Sequence, residues 1–240
     1  MKDDLFVLGD RHTIIDFSTA SPLLPSILAR EHKSITFPEL FRSLQCHLID
    51  CALGEFQFEV LFFNPEDTSL FIDIFNAGCE VIHQVAVQWI RNTYDILGVM
   101  LLCILLQSSI ERLAKEGTPI LQEFFSKFVF NDSVIVMNSL KAKAISRFKE
   151  LLNCQIRNVK SVPVQPKNLN VTNEVHSSIR RYADLSWGIY VLGLSYDMFL
   201  DKSIWTESMN LLGLEMVNLL MKLASCVKEN VPFNLHMLLL

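Results

Sequence analysis

Between Ile96 and Leu106 the chain reads ILGVMLLCILL, 11 residues without a single charge. A helix that is apolar all round can sit in a bilayer or in the middle of a protein core. Crossing a bilayer takes about 20 such residues, so the run is expected to be a buried helix that other helices must surround. A membrane anchor over residues 94–110 is the competing reading.

The rest of the chain has the material to surround it. Half of its 240 residues are hydrophobic and 17 are Phe, which supports a sizeable core and argues against disorder. The formal net charge of −5 argues against a chain-wide grip on nucleic acid, so no nucleic-acid partner is expected and any electrostatic contact must be local. Six cysteines, at 46, 51, 79, 103, 154 and 226, form no CxxC pair, as expected of buried thiols in a reducing, cytosolic compartment. The opening MKDDLFVLGDRH has no apolar segment of signal-peptide length, so the triplets Asn131-Asp132-Ser133 and Asn170-Val171-Thr172 read as chance glycosylation matches.

Helix punctuation is clear. Thr36 and Glu39 make a capping box with Pro38 in the first turn, predicting a helix over about 37–63. Asn64-Pro65-Glu66-Asp67 resets the chain. Phe71, Ile74, Phe75, Val81, Ile82, Val85, Trp89 and Ile90 then recur at helical spacing, in a helix that could run on to Glu116. Gly117, Thr118 and Pro119 end it and start a third long segment over about 119–158, with a break expected near Asn131-Asp132. The proline-bearing stretch 161–172 reads as a linker between a helical rod region, 1–160, and a second helical region, 173–240. In the last helix, about 203–229, Trp205, Met209, Leu212, Met216, Leu219, Leu223 and Val227 share one stripe. The fold class is therefore all-α: an elongated bundle of long antiparallel helices, with a short β-hairpin over 5–16 as the one site of expected strand pairing.

Catalytic and metal-binding patterns are missing. Cys46, His47, Asp50 and Cys51 are the nearest approach to a ligand cluster, but adjacent residues point about 100° apart on a helix, and inert buried thiols are the expectation. No nucleophile elbow, zinc-protease or phosphate-loop motif occurs, so no enzyme activity, cofactor or metal is expected. An enzyme or lipid carrier with an internal cavity is a third reading, which convergent titratable groups in a pocket would favour.

Two basic features stand out as candidate partner contacts. Lys141, Lys143, Arg147, Lys149, Arg157 and Lys160 line the third segment, read first as a solvated face and second as a contact to an acidic partner or anionic membrane, with Lys141 and Arg147 as candidates. Arg180 and Arg181 stand at the mouth of an apolar shaft from Leu185 to Leu194, where their stems can cover apolar surface while both pair with Asp184. Arg180, Arg181, Tyr182 and Asp184 are the candidate recognition residues there.

The block His176 to Ser186, HSSIRRYADLS, resembles the His-x-x-x-Arg-Arg-Tyr-Ala-Glu-Phe-Ser block of the vacuolar protein sorting-associated protein 52 (Sac2) family. Further stretches match in the same order: Phe6-x-Leu8-Gly9-x-Arg11, Leu40-Phe41-Arg42-Ser43, Asp50 with Glu55-Phe56-x-Phe58 and Phe62-Phe63, Tyr94-Asp95 leading into Leu102-Cys103-Ile104, and Leu211-Leu212-Gly213. Asp184, Leu185 and Trp187 depart from the family's Glu, Phe and small residue.

The resemblance implies a non-enzymatic subunit of the Golgi-associated retrograde protein (GARP) complex or the related endosomal recycling complex. Such a subunit would be peripheral to membranes, on the cytosolic face of the trans-Golgi network and endosomes. It would tether carriers in retrograde transport together with other complex subunits, SNAREs and small GTPases. Family members are longer, with an assembly coiled coil before this part and a helical region after it. A reduced homologue, a truncated gene product or a splice form is therefore expected, with Leu235, Met237, Leu238, Leu239 and Leu240 left uncovered.

Overall fold

The computed structural model describes residues 4–15, 35–62, 69–116, 137–163, 177–196 and 202–227. Among these, two 3-10 helices, Asp4–Phe6 and Gly9–Ile15, precede six α-helices: α1 Phe37–Phe62, α2 Ser69–Asn92, α3 Ile96–Glu116, α4 Met137–Lys160, α5 Ser177–Ser195 and α6 Ser203–Val227. No strand occurs among the described residues. The protein is all-α.

The apolar run becomes the first half of α3, and it lies at the centre. Leu97, Val99, Leu101, Leu102, Ile104, Leu105 and Leu106 have no solvent exposure, because α1, α4, α5 and both 3-10 helices pack around them. Helix α4 gives the largest contact, through Leu140, Ala144, Phe148, Leu151, Leu152 and Ile156 at three- and four-residue spacing. Helix α6 lies on α4, with Met216 and Leu219 buried and Lys160 paired to Glu215 at 3.2 Å. Residues from Leu8 to Leu212 belong to one hydrophobic cluster, so segments on both sides of 161–172 contribute to it. No helix among the described residues is long and apolar enough to cross a membrane.

The capping box at α1 forms, but with one arm reversed. Glu39 reaches back to the Thr36 amide at 2.7 Å, while the Thr36 hydroxyl donates to the same carboxylate at 2.9 Å. That arrangement sets Phe37 flat on Trp89 of α2, ring centroids 4.6 Å apart.

Several expectations change. The N-terminal hairpin is replaced by 3-10 turns: Gly9 takes φ +49°, Thr13 Oγ1 donates to the Asp10 carbonyl at 2.8 Å, and Leu8, Ile14 and Ile15 bury themselves in the core instead of pairing as strands. The helix expected to run to Glu116 breaks at Thr93–Asp95, where an Asp rather than a Gly or Pro supplies the stop and restart. Within residues 78–92 of α2, Val81 and Val85 face solvent while Ala86 and Ile90 are buried, so the core-facing stripe there is narrower than the apolar sequence suggests; the side chains of Phe71, Ile74 and Phe75 lie outside the described residues. The Asn64–Asp67 and Gly117–Pro119 boundaries, the break near Asn131, and residues 228–240 lie outside the described residues.

Candidate functional site

The break between α2 and α3 is a three-residue turn built on hydrogen bonds. Asp95 N–H donates to Thr93 Oγ1 at 3.1 Å, and Asp95 Oδ1 accepts from Gly98 N–H at 2.9 Å, the geometry of an N-cap. The other carboxylate oxygen takes the guanidinium of Arg11. Gly98 is required by this crowding, since a Cβ there would run into the Asp95 carboxylate and lie 3.0 Å from Arg11 Nη2. Arg147 of α4 closes the turn from the other side, donating to the Thr93 carbonyl at 2.9 Å and lying 5.8 Å over the Tyr94 ring.

The arginine-pair helix meets the same node. Arg181 lies 6.0 Å over the ring of Phe6, and Gly188 sits so close to Leu97 that an added Cβ would be 2.9 Å from its methyls and 3.4 Å from Leu8 Cβ. Three of the stretches quoted for the family resemblance, around Phe6–Arg11, Tyr94–Leu102 and Arg180–Ser186, therefore converge in space. The sequence reading missed Thr93, Gly98 and Gly188 in this node. The signal available for the first two was the Thr-x-Asp-x-x-Gly spacing, a helix start hidden inside an apolar run.

The other candidate residues divide by face. Tyr182 is half-buried, and its hydroxyl lies over Gly213 of α6, 2.8 Å from where a Cβ would be. Arg180 is exposed, and no ion pair joins Asp184 to either arginine among the described residues. Lys141 donates to Gln107 Oε1 of α3 at 2.6 Å, and Arg147 also pairs with Glu150 at 2.7 Å, so both are engaged within the bundle.

The shaft beyond the arginines is buried on one side only. Leu185, Gly188, Ile189, Leu192 and Gly193 face the core, whereas Trp187 is 66 % exposed, with Tyr190 and Leu194 also on the surface. Arg180, Trp187 and Leu194 follow at seven-residue intervals and thus lie along one face, with the Trp187 and Tyr190 rings 6.3 Å apart.

Polar groups elsewhere are scattered. Cys46 is buried while His47 and Cys51 are exposed, and burial pushes the Cys46 thiol up against the opposing pull of Arg42 and Arg112. Asp50 takes Arg112 at 2.6 Å. His83 is buried with neither ring nitrogen hydrogen-bonded, and burial, aided by Lys143, holds its pKa down at about 4. Among the described residues no three His, Cys, Asp or Glu side chains are gathered to hold a metal ion. What the arrangement offers is a locked helical scaffold presenting an aromatic, basic face.

Comparison with known proteins gives a consistent result. The family profile described as Vps52, C-terminal, matches residues 1–233. Among curated proteins, the chain is 27% identical over 195 residues to vacuolar protein sorting-associated protein 52 A of Arabidopsis thaliana, covering 81% of this chain and 26% of that protein. It is 24% identical over 191 residues to the vacuolar protein sorting-associated protein 52 homolog of Caenorhabditis elegans, covering 77% and 26%. The chain spans about a quarter of the length of these relatives. No solved structure matches it.

Proposed function

Because this chain belongs to the Vps52 C-terminal family, we propose that it is a subunit of a multisubunit vesicle-tethering complex and acts by protein–protein contact. The observation that carries the reading is the family match over residues 1–233. In its finer form the proposal places the chain in the GARP complex or the endosomal recycling complex, in retrograde transport from endosomes to the trans-Golgi network. SNAREs and small GTPases are its further partners there. It works on the cytosolic face of those membranes and is held by its partners, a reading supported by the enclosure of residues 96–106 within the bundle.

The surface that suits this role is the outer face of α5. Trp, Tyr and Arg are the residues most often found at the energetic centre of protein interfaces, and here Arg180, Trp187 and Tyr190 share one exposed face with Leu194. Arg181, held over Phe6, extends the basic end. The test is affinity purification of the tagged chain followed by mass spectrometry, with Trp187→Ala and Tyr190→Ala beside the wild type. The proposal expects other tether subunits with the wild-type chain and their loss in the variants at unchanged melting temperature. Absence of every tether subunit from the wild-type sample would overturn it.

A further inference from the structure

Helix α6 carries two apolar stripes, and the core uses one. The inner stripe, Trp205, Met209, Leu212, Met216, Leu219 and Leu223, alternates spacings of four and three and faces α4 and α5. On the opposite side, Leu211, Leu214, Asn218 and Met221 step by three and four in the same way, with Val217 beside them. Leu211, Leu214, Val217 and Met221 are 47%, 57%, 48% and 67% exposed. A surface helix normally has one apolar stripe, and a second with this spacing is the pattern of a helix that packs against another helix on its far side.

The charges at its two ends point to what that helix is. Glu207 stands one turn before Leu211, and Lys222 follows Met221; both are exposed and neither takes part in an ion pair among the described residues. A second α6 laid parallel would set Glu207 against Glu207 and Lys222 against Lys222. Laid antiparallel, it sets Glu207 of each copy against Lys222 of the other, two attractive pairs from one two-fold axis. We propose that α6 pairs antiparallel with α6 of a second copy of this chain through Leu211, Leu214, Val217 and Met221, with Glu207 and Lys222 joined across the axis. Asn218 within the stripe weakens such a seam. The pairing does not depend on the tether reading.

The test is sedimentation velocity on the full chain over a range of about 1–200 μM, corresponding to association free energies of about −8 to −5 kcal/mol. The wild type should pass from monomer to dimer. Leu214→Glu and Met221→Glu should each weaken the dimer at least about tenfold without lowering the melting temperature, since both side chains are largely outside the core. Glu207→Lys or Lys222→Glu alone turns two attractions into two repulsions and should weaken the dimer by about tenfold; the double reversal should restore it. A wild type that stays monomeric throughout overturns the proposal, as does a dimer that ignores both Glu variants. A double reversal no better than either single change overturns the antiparallel arrangement on which it stands.

Discussion

Arg11 and Asp95, 84 residues apart in sequence, are joined by an ion pair that ties the N-terminal 3-10 helix to the start of the central helix. Their side chains are only 18% and 12% exposed. Asp95 has a second duty as the cap of α3. Asp95→Ala therefore removes a cap and leaves a poorly solvated guanidinium, and should destabilise the fold by about 2–4 kcal/mol. Asp95→Asn keeps the cap and should cost less. Chemical denaturation of both variants, with Arg11→Met and the Arg11→Met/Asp95→Ala double variant, measures the coupling; additive effects would show that the pair contributes nothing.

Gly193 of α5 lies under the indole of Trp205, where an added Cβ would be 2.5 Å from Cζ2. In an isolated helix Gly→Ala is favourable by about 1 kcal/mol. Here the rigid ring must move, and overpacking of this kind typically costs about 1–3 kcal/mol. Gly193→Ala should thus lower the melting temperature, and the change in Trp fluorescence should report the displaced indole. A raised melting temperature would contradict the close approach of α5 and α6.

His83 makes the fold sensitive to acid. Its folded pKa, about 4, lies below the ordinary value of 6.5, so between those values the unfolded chain binds the proton that the folded chain refuses. Its contribution is intact above pH 6.5 and is lost progressively down to pH 4, amounting to about 3 kcal/mol in all. Stability measured across this window should fall more steeply for the wild type than for His83→Leu. Parallel curves would show that His83 is not the group responsible.

The fully enclosed position of Ile104 predicts a large effect there. Ile104→Asp puts a charge among leucines and should cost more than about 4 kcal/mol, enough to prevent a cooperative melt by circular dichroism. Trp187→Ala, on the surface, should stay within about 1 kcal/mol of the wild type. A folded Ile104→Asp variant would mean that α3 is not enclosed.

The long helices were legible because their signals are local. The Thr36–Glu39 box, the inner stripe of α6 and the apolar run of α3 each rest on side chains within a turn or two of one another, and all three appear where the sequence places them. The hairpin expectation failed because LFVLGDRHTII has the same apolar content whether it pairs with itself or docks on α3, and only the available core surface distinguishes the two.

The sequence by itself determined the helical class, the burial of residues 96–106 and the stripe by which α6 meets the bundle, because periodicity and polarity act along the chain. Tertiary structure alone decided that Arg11 reaches Asp95, that Arg181 covers Phe6, that Arg147 closes the Thr93 turn, and that Trp187 and Leu214 face outward. An apolar side chain states only that it prefers to leave water. Which apolar face finds a neighbour is set by the limited surface of the other helices, and that is a property of the assembled bundle.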